Sequence, residues 1–244
     1  MKNILILWAT WWIGHWILNA LADHKHYKII IIGRNQDKLV NIKKSHKDIT
    51  SYCADLSNPA QVENVFEKIN KKFDIDVVIN AVWLSLHGKF ENFTIDNINT
   101  IVYANYLCLV YVAKQIWWSF MKKKAWTIIN ISSLSGIRWY ENWTMYCSMK
   151  AAINMFLQTL AIEGQPYWIR VTNILPWNVN TWTRNLDNEE VKKWVKNMLQ
   201  TSEIGDIVKY ILSLPKNVFV EEIKVKPTKP MVNFSWVHSK RFVL

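Results

Sequence analysis

Asn3-Ile4-Leu5-Ile6-Leu7-Trp8-Ala9-Thr10-Trp11-Trp12-Ile13-Gly14-His15-Trp16-Ile17-Leu18-Asn19-Ala20-Leu21-Ala22-Asp23 decides the fold, because it supports two incompatible readings. Behind Lys2, the stretch from Ile4 to Ala22 is apolar enough for a signal peptide or a membrane span. Thr10, Gly14, His15 and Asn19 interrupt that apolarity. The segment then divides into a buried strand over Asn3 to Ala9, a turn, and a helix from Ile13 to Asp23. The second reading is the one adopted, and it predicts no membrane association.

The same alternation continues along the chain. Lys28 to Ile32 has the unbroken apolarity of a strand buried on both faces. A helix follows over Asn35 to His46, a third strand over Thr50 to Ala54, and a helix over Pro59 to Lys72, capped by Ser57-Asn58 with proline in its first turn. Ile75 to Ile79 is strand four, Ile98 to Lys123 one long helix, Thr127 to Ser132 strand five, Met145 to Glu163 a helix and Ile169 to Leu175 strand six. A short helix after Asp187, another over Glu203 to Leu214 and a last strand near Val218 to Val225 complete the series. Strands alternating with helices predict an α/β fold: a Rossmann-type, doubly wound parallel sheet of about seven strands with helices on both faces. No linker, repeat or low-complexity block divides it. Residues 1–232 are expected to form one domain, with 233–244 as a C-terminal tail.

Composition narrows the function classes. The 244 residues are 50% hydrophobic, enough for a sizeable core. The formal charge of +11 invites a nucleic-acid reading. The cations lie scattered in short groups such as Lys122-Lys123-Lys124, as on solvated helix faces, so no nucleic-acid partner is expected. Cys53, Cys108 and Cys147 form no CxxC pair and no metal-ligand spacing. A metal site and a disulfide framework are therefore not expected, and a reducing cytoplasmic location fits.

In an open parallel sheet, ligands sit beyond the carboxyl ends of the strands where the strand order reverses. The chemically suggestive residues fall there. Thr10 to Gly14 follows strand one, Gly33-Arg34-Asn35 strand two, Asp55-Leu56 strand three, Asn80-Ala81 strand four, Ser133 strand five and Pro176 to Thr181 strand six. Beyond Ser133 comes Tyr146-Cys147-Ser148-Met149-Lys150, which places a phenol and an ammonium on one helical face at i and i+4. A cation beside a phenol favours the phenolate and lowers its pKa. A nearby serine hydroxyl can hold a substrate oxygen, so the three suit hydride transfer at a carbonyl.

Those motifs, in that order, resemble the classical short-chain dehydrogenase/reductase family over roughly Met1 to Pro230. The resemblance rests on Asn130-Ile131-Ser132-Ser133, on Tyr146 with Lys150, and on Asn105 in the preceding helix. It implies that Tyr146 is the general acid/base and that Ser133 orients and polarises the substrate oxygen. Lys150 would bind the nicotinamide ribose while lowering the Tyr146 pKa, and Asn105 would hold a water for proton relay. Thr10, Trp12, Ile13, Gly14, Arg34, Asn35, Asp55, Leu56, Asn80, Ala81, Pro176, Val179 and Thr181, with Tyr146 and Lys150, would line the cofactor. Asp55 would meet the adenine edge, Asn80-Ala81 would lie under the adenine ribose, and Val179 and Thr181 would approach the carboxamide and phosphates.

Strand two ends in Gly33-Arg34 without an acidic residue to hold an adenosine ribose. Arg34 can pair with a 2′-phosphate, with Asn35 as a helper, so NADP(H) is expected over NAD(H). The substrate is expected to be a small carbonyl compound or alcohol. An amphipathic lid over Trp182 to Ser202, with Leu186, Val191, Trp194, Val195 and Met198 on its apolar face, would cover it, or that face serves equally as plain packing; Arg184 is read first as a solvated arginine and second as a partner for a substrate carboxylate. The C-terminal stretch from Leu214-Pro215 to Pro227-Thr228 resembles family members acting on small hydroxy acids or hydroxy amino acids. Reduction of a 3-oxoacyl carrier-protein thioester is the alternative within the family. The family's long helices imply a homodimer or homotetramer.

The departure from the family lies in its glycines. Its turn after strand one reads Trp8 and Trp12 here, its Asn-Ala-Gly reads Asn80-Ala81-Val82, and its Pro-Gly reads Pro176-Trp177. Trp126 and Trp168 also stand where the family commonly has glycine. Glycine at such places permits positive φ and lets a pyrophosphate approach the backbone, and an indole fills that space. The chain carries 15 Trp beside 6 Gly, the reverse of usual abundance. UGA codons that encode glycine but are rendered as tryptophan would explain the pattern. A non-catalytic dinucleotide sensor or interaction module, with true tryptophans, is the competing reading.

Overall fold

Residues 3–23 form strand, turn and helix: β1 (Lys2–Leu7) is followed by α1 (Trp12–Ala22). The structure is a computed structural model describing residues 1–124, 126–181, 192 and 195–229. Further along come β2 (Tyr27–Gly33), α2 (Gln36–Ser45), β3 (Thr50–Cys53), α3 (Pro59–Asn70) and β4 (Val77–Asn80). After them come α4 (Ile95–Val102), α5 (Cys108–Lys123), β5 (Trp126–Ile131), α6 (Thr144–Gly164) and β6 (Ile169–Pro176). The described chain ends with β7 (Val179–Asn180), β8 (Leu199–Gln200), α7 (Thr201–Ser213) and β9 (Glu222–Val225). Among the described residues no helix is long and apolar enough to cross a membrane.

Among the described residues seven strands make one sheet in the order β3-β2-β1-β4-β5-β6-β9, and each neighbouring pair is parallel. The order reverses between β1 and β4, which places a crevice beyond their carboxyl ends. Alternate residues of each strand serve opposite faces. Leu5, Leu7, Ile30 and Ile32 pack with residues of α3, α5 and α6, whereas Ile4, Ile6, Ile29 and Ile31 pack with α1, α2 and α7. Two apolar layers therefore clamp the sheet, as the double apolarity of the strands requires.

Local chemistry fixes the element ends near the crevice. Asn35 caps α2 by accepting the Lys38 N–H at 2.8 Å, and Asn58 caps α3 through the N–H groups of Ala60 and Gln61, with Pro59 behind it. Glycine at 14 lets the start of α1 sit directly against the Trp8 carbonyl, where a Cβ would collide.

Two details depart from the sequence reading. The expected single helix from Ile98 to Lys123 is α4, a π turn over Tyr103–Leu107, and α5. Within that wider turn the Asn105 amide takes the Ile101 carbonyl at 3.1 Å, a side-chain substitute for a backbone donor. The pair β7 and β8 forms a separate two-stranded ladder that two-residue strands leave invisible to periodicity. The expected short helix after Asp187 falls mainly outside the described residues, and the 233–244 tail lies wholly outside them.

Candidate active site

β5, α6 and the π turn bring Ser133, Tyr146, Lys150 and Asn105 to one place. All four are buried, with Tyr146 4% and Lys150 1% exposed. Ser133 follows β5 and its oxygen accepts the Ser135 N–H at 3.1 Å, which starts a tight turn. Gly136 lets that turn lie on α6, because a Cβ there would come within 2.7 Å of the Lys150 carbonyl. The turn thereby holds the Ser133 hydroxyl near Tyr146, where it favours the ionised phenol. Lys150 is one turn along α6, with its ammonium 5.8 Å from the centre of the Tyr146 ring. Asn105 donates to the Leu84 carbonyl at 2.8 Å and accepts the Leu84 N–H at 3.3 Å, so it anchors the loop after β4.

Electrostatics correct one expectation. Lys150 was expected to lower the Tyr146 pKa; instead burial pushes the phenol up to about 12, opposed by hydrogen bonds with Ser133 and Trp83. Burial also pulls Lys150 down to about 8, with Cys108 acting the other way. Desolvation wins because the ammonium lies over the ring face in a closed pocket, so neither charged form is well solvated. The arrangement holds a neutral phenol and an ammonium that gives up its proton near neutral pH, a pair suited to moving a proton to or from an oxygen held by Ser133.

Beneath the site the ends of three strands are cross-linked by amides. Asn80 donates to Asn130 at 2.8 Å and Asn130 donates to Asn173 at 2.9 Å, in register across β4, β5 and β6. Asn80 is thus turned into the sheet, and its oxygen accepts the Val82 N–H. The residues of this loop that line the larger cavity are Val82 and Leu84, and the sequence reading gave neither a place at the cofactor.

Two cavities occupy the crevice. One of about 450 Å³ is lined by Trp8, Arg34, Asp55, Leu56, Val82 and Tyr103 among others. The second, about 280 Å³, is lined by Trp8, Thr10, Trp11, Arg34, Asn35 and Lys38. Arg34 stands between them, 4.0 Å from Asp55 and 4.8 Å above the Trp8 ring, while Lys38 lies 5.0 Å from the Trp11 ring. Lys38 escaped notice in the sequence because its reach into this cavity depends on the α2 register. Ile13 and Gly14 lie in the first turn of α1, Ala81 is buried beside Asn80, and Pro176, Val179 and Thr181 lie at and beyond the end of β6. Arg184, Leu186, Val191 and Trp194 of the expected lid lie outside the described residues; Met198 is buried beside β8.

A dinucleotide fits the ends of this crevice and not its middle. Arg34 and Lys38 border the smaller cavity at one end, and Tyr146 and Lys150 lie buried on α6. Between them the Trp8 indole, 5% exposed, is the wall that both cavities share. The Trp83 indole N–H donates to the Tyr146 hydroxyl at 2.8 Å, in the position a reacting oxygen would need. Trp12 opens α1, where its ring adjoins that of Trp11 at 6.4 Å. With those indoles in place the crevice holds no extended cofactor.

Comparison with known proteins gives a consistent picture. A family model described as short chain dehydrogenase matches residues 2–192. A protein of Staphylococcus aureus (strain MRSA252), described as an uncharacterized oxidoreductase, is 28% identical over 220 residues, 88% of this chain and 94% of the relative. An alcohol dehydrogenase from the archaeon Thermococcus sibiricus, solved with 5-hydroxy-NADP, superposes with a TM-score of 0.83 at 24% identity, over 96% of this chain and 100% of that one. Serine dehydrogenase from Escherichia coli matches with a TM-score of 0.83 at 22% identity, over 95% and 100%. At these identities the two structures speak for the fold.

Proposed function

The chain belongs to the short chain dehydrogenase family of NAD(P)-dependent oxidoreductases, and from that premise we propose that it interconverts an alcohol and a carbonyl on a small substrate, with NADP(H) as its redox partner. The observation that carries this reading is the burial of Ser133, Tyr146 and Lys150 together, with the Lys150 ammonium 5.8 Å from the centre of the Tyr146 ring. Ser133 holds the substrate oxygen. In reduction Tyr146 gives that oxygen a proton and the Lys150 ammonium restores it; in oxidation the proton passes from the oxygen to Tyr146 and on to Lys150, and the nicotinamide cofactor would supply or take the hydride at the carbon. Asn105 positions the loop after β4 around this relay through its paired bonds to Leu84.

Preference for the 2′-phosphorylated cofactor is supported by the cations around the smaller cavity. Arg34 and Lys38 border it, and no carboxylate is among its lining residues. Arg34 spends part of its charge on Asp55, so a phosphate would draw the guanidinium toward the Lys38 side. With the Trp8 indole out of the way, Thr10, Ile13 and Gly14 at the start of α1 would take the pyrophosphate end, Asp55 and Leu56 the adenine end, and Pro176, Val179 and Thr181 the nicotinamide end. Likeness to serine dehydrogenase directs the first substrates to small hydroxy acids and hydroxy amino acids.

The test is NADPH consumption by protein purified from its own cells, with small ketones, 3-oxo acids and a 3-oxoacyl thioester. Turnover that disappears in Tyr146→Phe, while the melting curve is unchanged, supports the assignment. Undiminished turnover in that variant removes Tyr146 from the chemistry.

A further inference from the structure

We propose that Trp8, Trp83, Trp126 and Trp168, and with them Trp12 and Trp177, are glycines in the protein made by its own cell, and that the crevice is then one continuous cleft from Arg34 to Tyr146. Four different physical observations meet in this proposal. Trp8 has φ of 61° and Trp168 φ of 57°, in the left-handed region that a bulky aromatic residue avoids. Lys124, Asn142 and Asn178 also take positive φ; asparagine tolerates it, and Lys124 is the left-handed cap that ends α5. Trp168 ends the helical turn Gln165–Tyr167, the position at which a chain leaves a helix in the left-handed conformation and where glycine is usual. Its side chain is 64% exposed, so burial offsets little of the strain.

Trp126 presents a different fault. Its ring is fully buried in β5, 3.6 Å from the Phe120 ring, and its indole N–H has no acceptor among the described residues. A buried donor without a partner is rare in native cores. Trp83 presents a third, since its N–H occupies the hydroxyl on which the proposed chemistry depends. Trp8 presents a fourth: with Arg34 it lines both cavities, its ring under the guanidinium at 4.8 Å. Removing the side chain at 8 joins the cavities, and removing it at 83 opens their union toward Tyr146.

One cause covers all of these positions. A UGA codon read as glycine in the cell and rendered as tryptophan under a code that assigns UGA to tryptophan also explains 15 Trp beside 6 Gly. Tryptophan accepted for a new function would not select places that demand a missing side chain, at a surface turn, in the core and in the cleft alike. The assignment of residue identity stands independently of the proposed function; only the cleft's occupant rests on that reading.

Peptide mass spectrometry of protein from its own cells, covering residues 3–25, 77–90, 126–138 and 166–181, tests it. Glycine masses at 8, 83, 126 and 168 are expected, and tryptophan at any of the four overturns the proposal. In parallel, NADPH is titrated against the chain with glycine at all six positions and against the chain with tryptophan. A gain of at least about 100-fold in affinity is expected for the glycine chain. Equal affinity for the two chains overturns the single-cleft part. Glycine masses together with failure of the glycine chain to bind NADPH keep the residue assignment and remove the proposed cofactor.

Discussion

Trp168 gives the residue-scale account its simplest test, because its strain is local and its ring is mostly in solvent. Trp168→Gly is expected to stabilise the chain by about 1 kcal/mol, the left-handed penalty of 1–2 kcal/mol less the greater freedom of unfolded glycine. Urea denaturation measures it, and a loss of stability would mean that the indole is held by contacts worth more than the strain. Lys150 gives a pH-dependent test. Its folded pKa of about 8 lies below the ordinary 10.5, so the unfolded chain binds more protons between those values and stability rises with pH across that window. Below pH 8 the full penalty applies, on the order of 3 kcal/mol. Lys150→Met should therefore be more stable than the parent at pH 7, and the difference should shrink toward pH 10.5. Tyr146 adds the opposite slope above pH 10, where its raised pKa makes the folded chain the better proton binder. Urea midpoints at pH 7, 9 and 10.5 check the signs. At this scale the spacing of Tyr146 and Lys150 and the family resemblance for Ser133 and Asn105 singled out four residues that the fold brings together in one buried place. The sequence did not show that Trp83 meets Tyr146, since 63 positions separate them and only the fold brings them together.

Elements hold these side chains in place through the amide ladder across β4, β5 and β6. Asn130 is its middle rung, a donor to Asn173 and an acceptor from Asn80, and all three are buried. Asn130→Leu leaves one buried donor and one buried acceptor without partners and should cost about 2–6 kcal/mol, at 1–3 for each orphaned group. Equilibrium unfolding checks the size, and a cost below that range would mean that the ladder relaxes around the change. Strand and helix positions were legible because parallel strands clamped between two helical layers are apolar on both faces. The break in the helix after Ile98 was not, since the π turn depends on Asn105 competing for the Ile101 carbonyl. The β7–β8 ladder escaped for want of length, two residues in each strand.

Whole-molecule behaviour follows from what α6 leaves outside. Met155 and Ile162, seven positions apart on one face, are 63% and 67% exposed. We propose that this face pairs with a second copy, as the family resemblance implies, and expect Ile162→Asp to shift a dimer or tetramer to monomer by light scattering. A monomeric parent would exclude it. The glycine question also acts at this scale, since one codon reading changes strain at two turns, packing in one strand and the continuity of the cleft together. The most direct measurement of the central claim is NADPH-dependent carbonyl reduction by the chain carrying glycine at positions 8, 12, 83, 126, 168 and 177, run beside its Tyr146→Phe variant. The account predicts turnover in the first and its loss in the second; equal rates in both, or none in the glycine chain with any substrate of the panel, would contradict it.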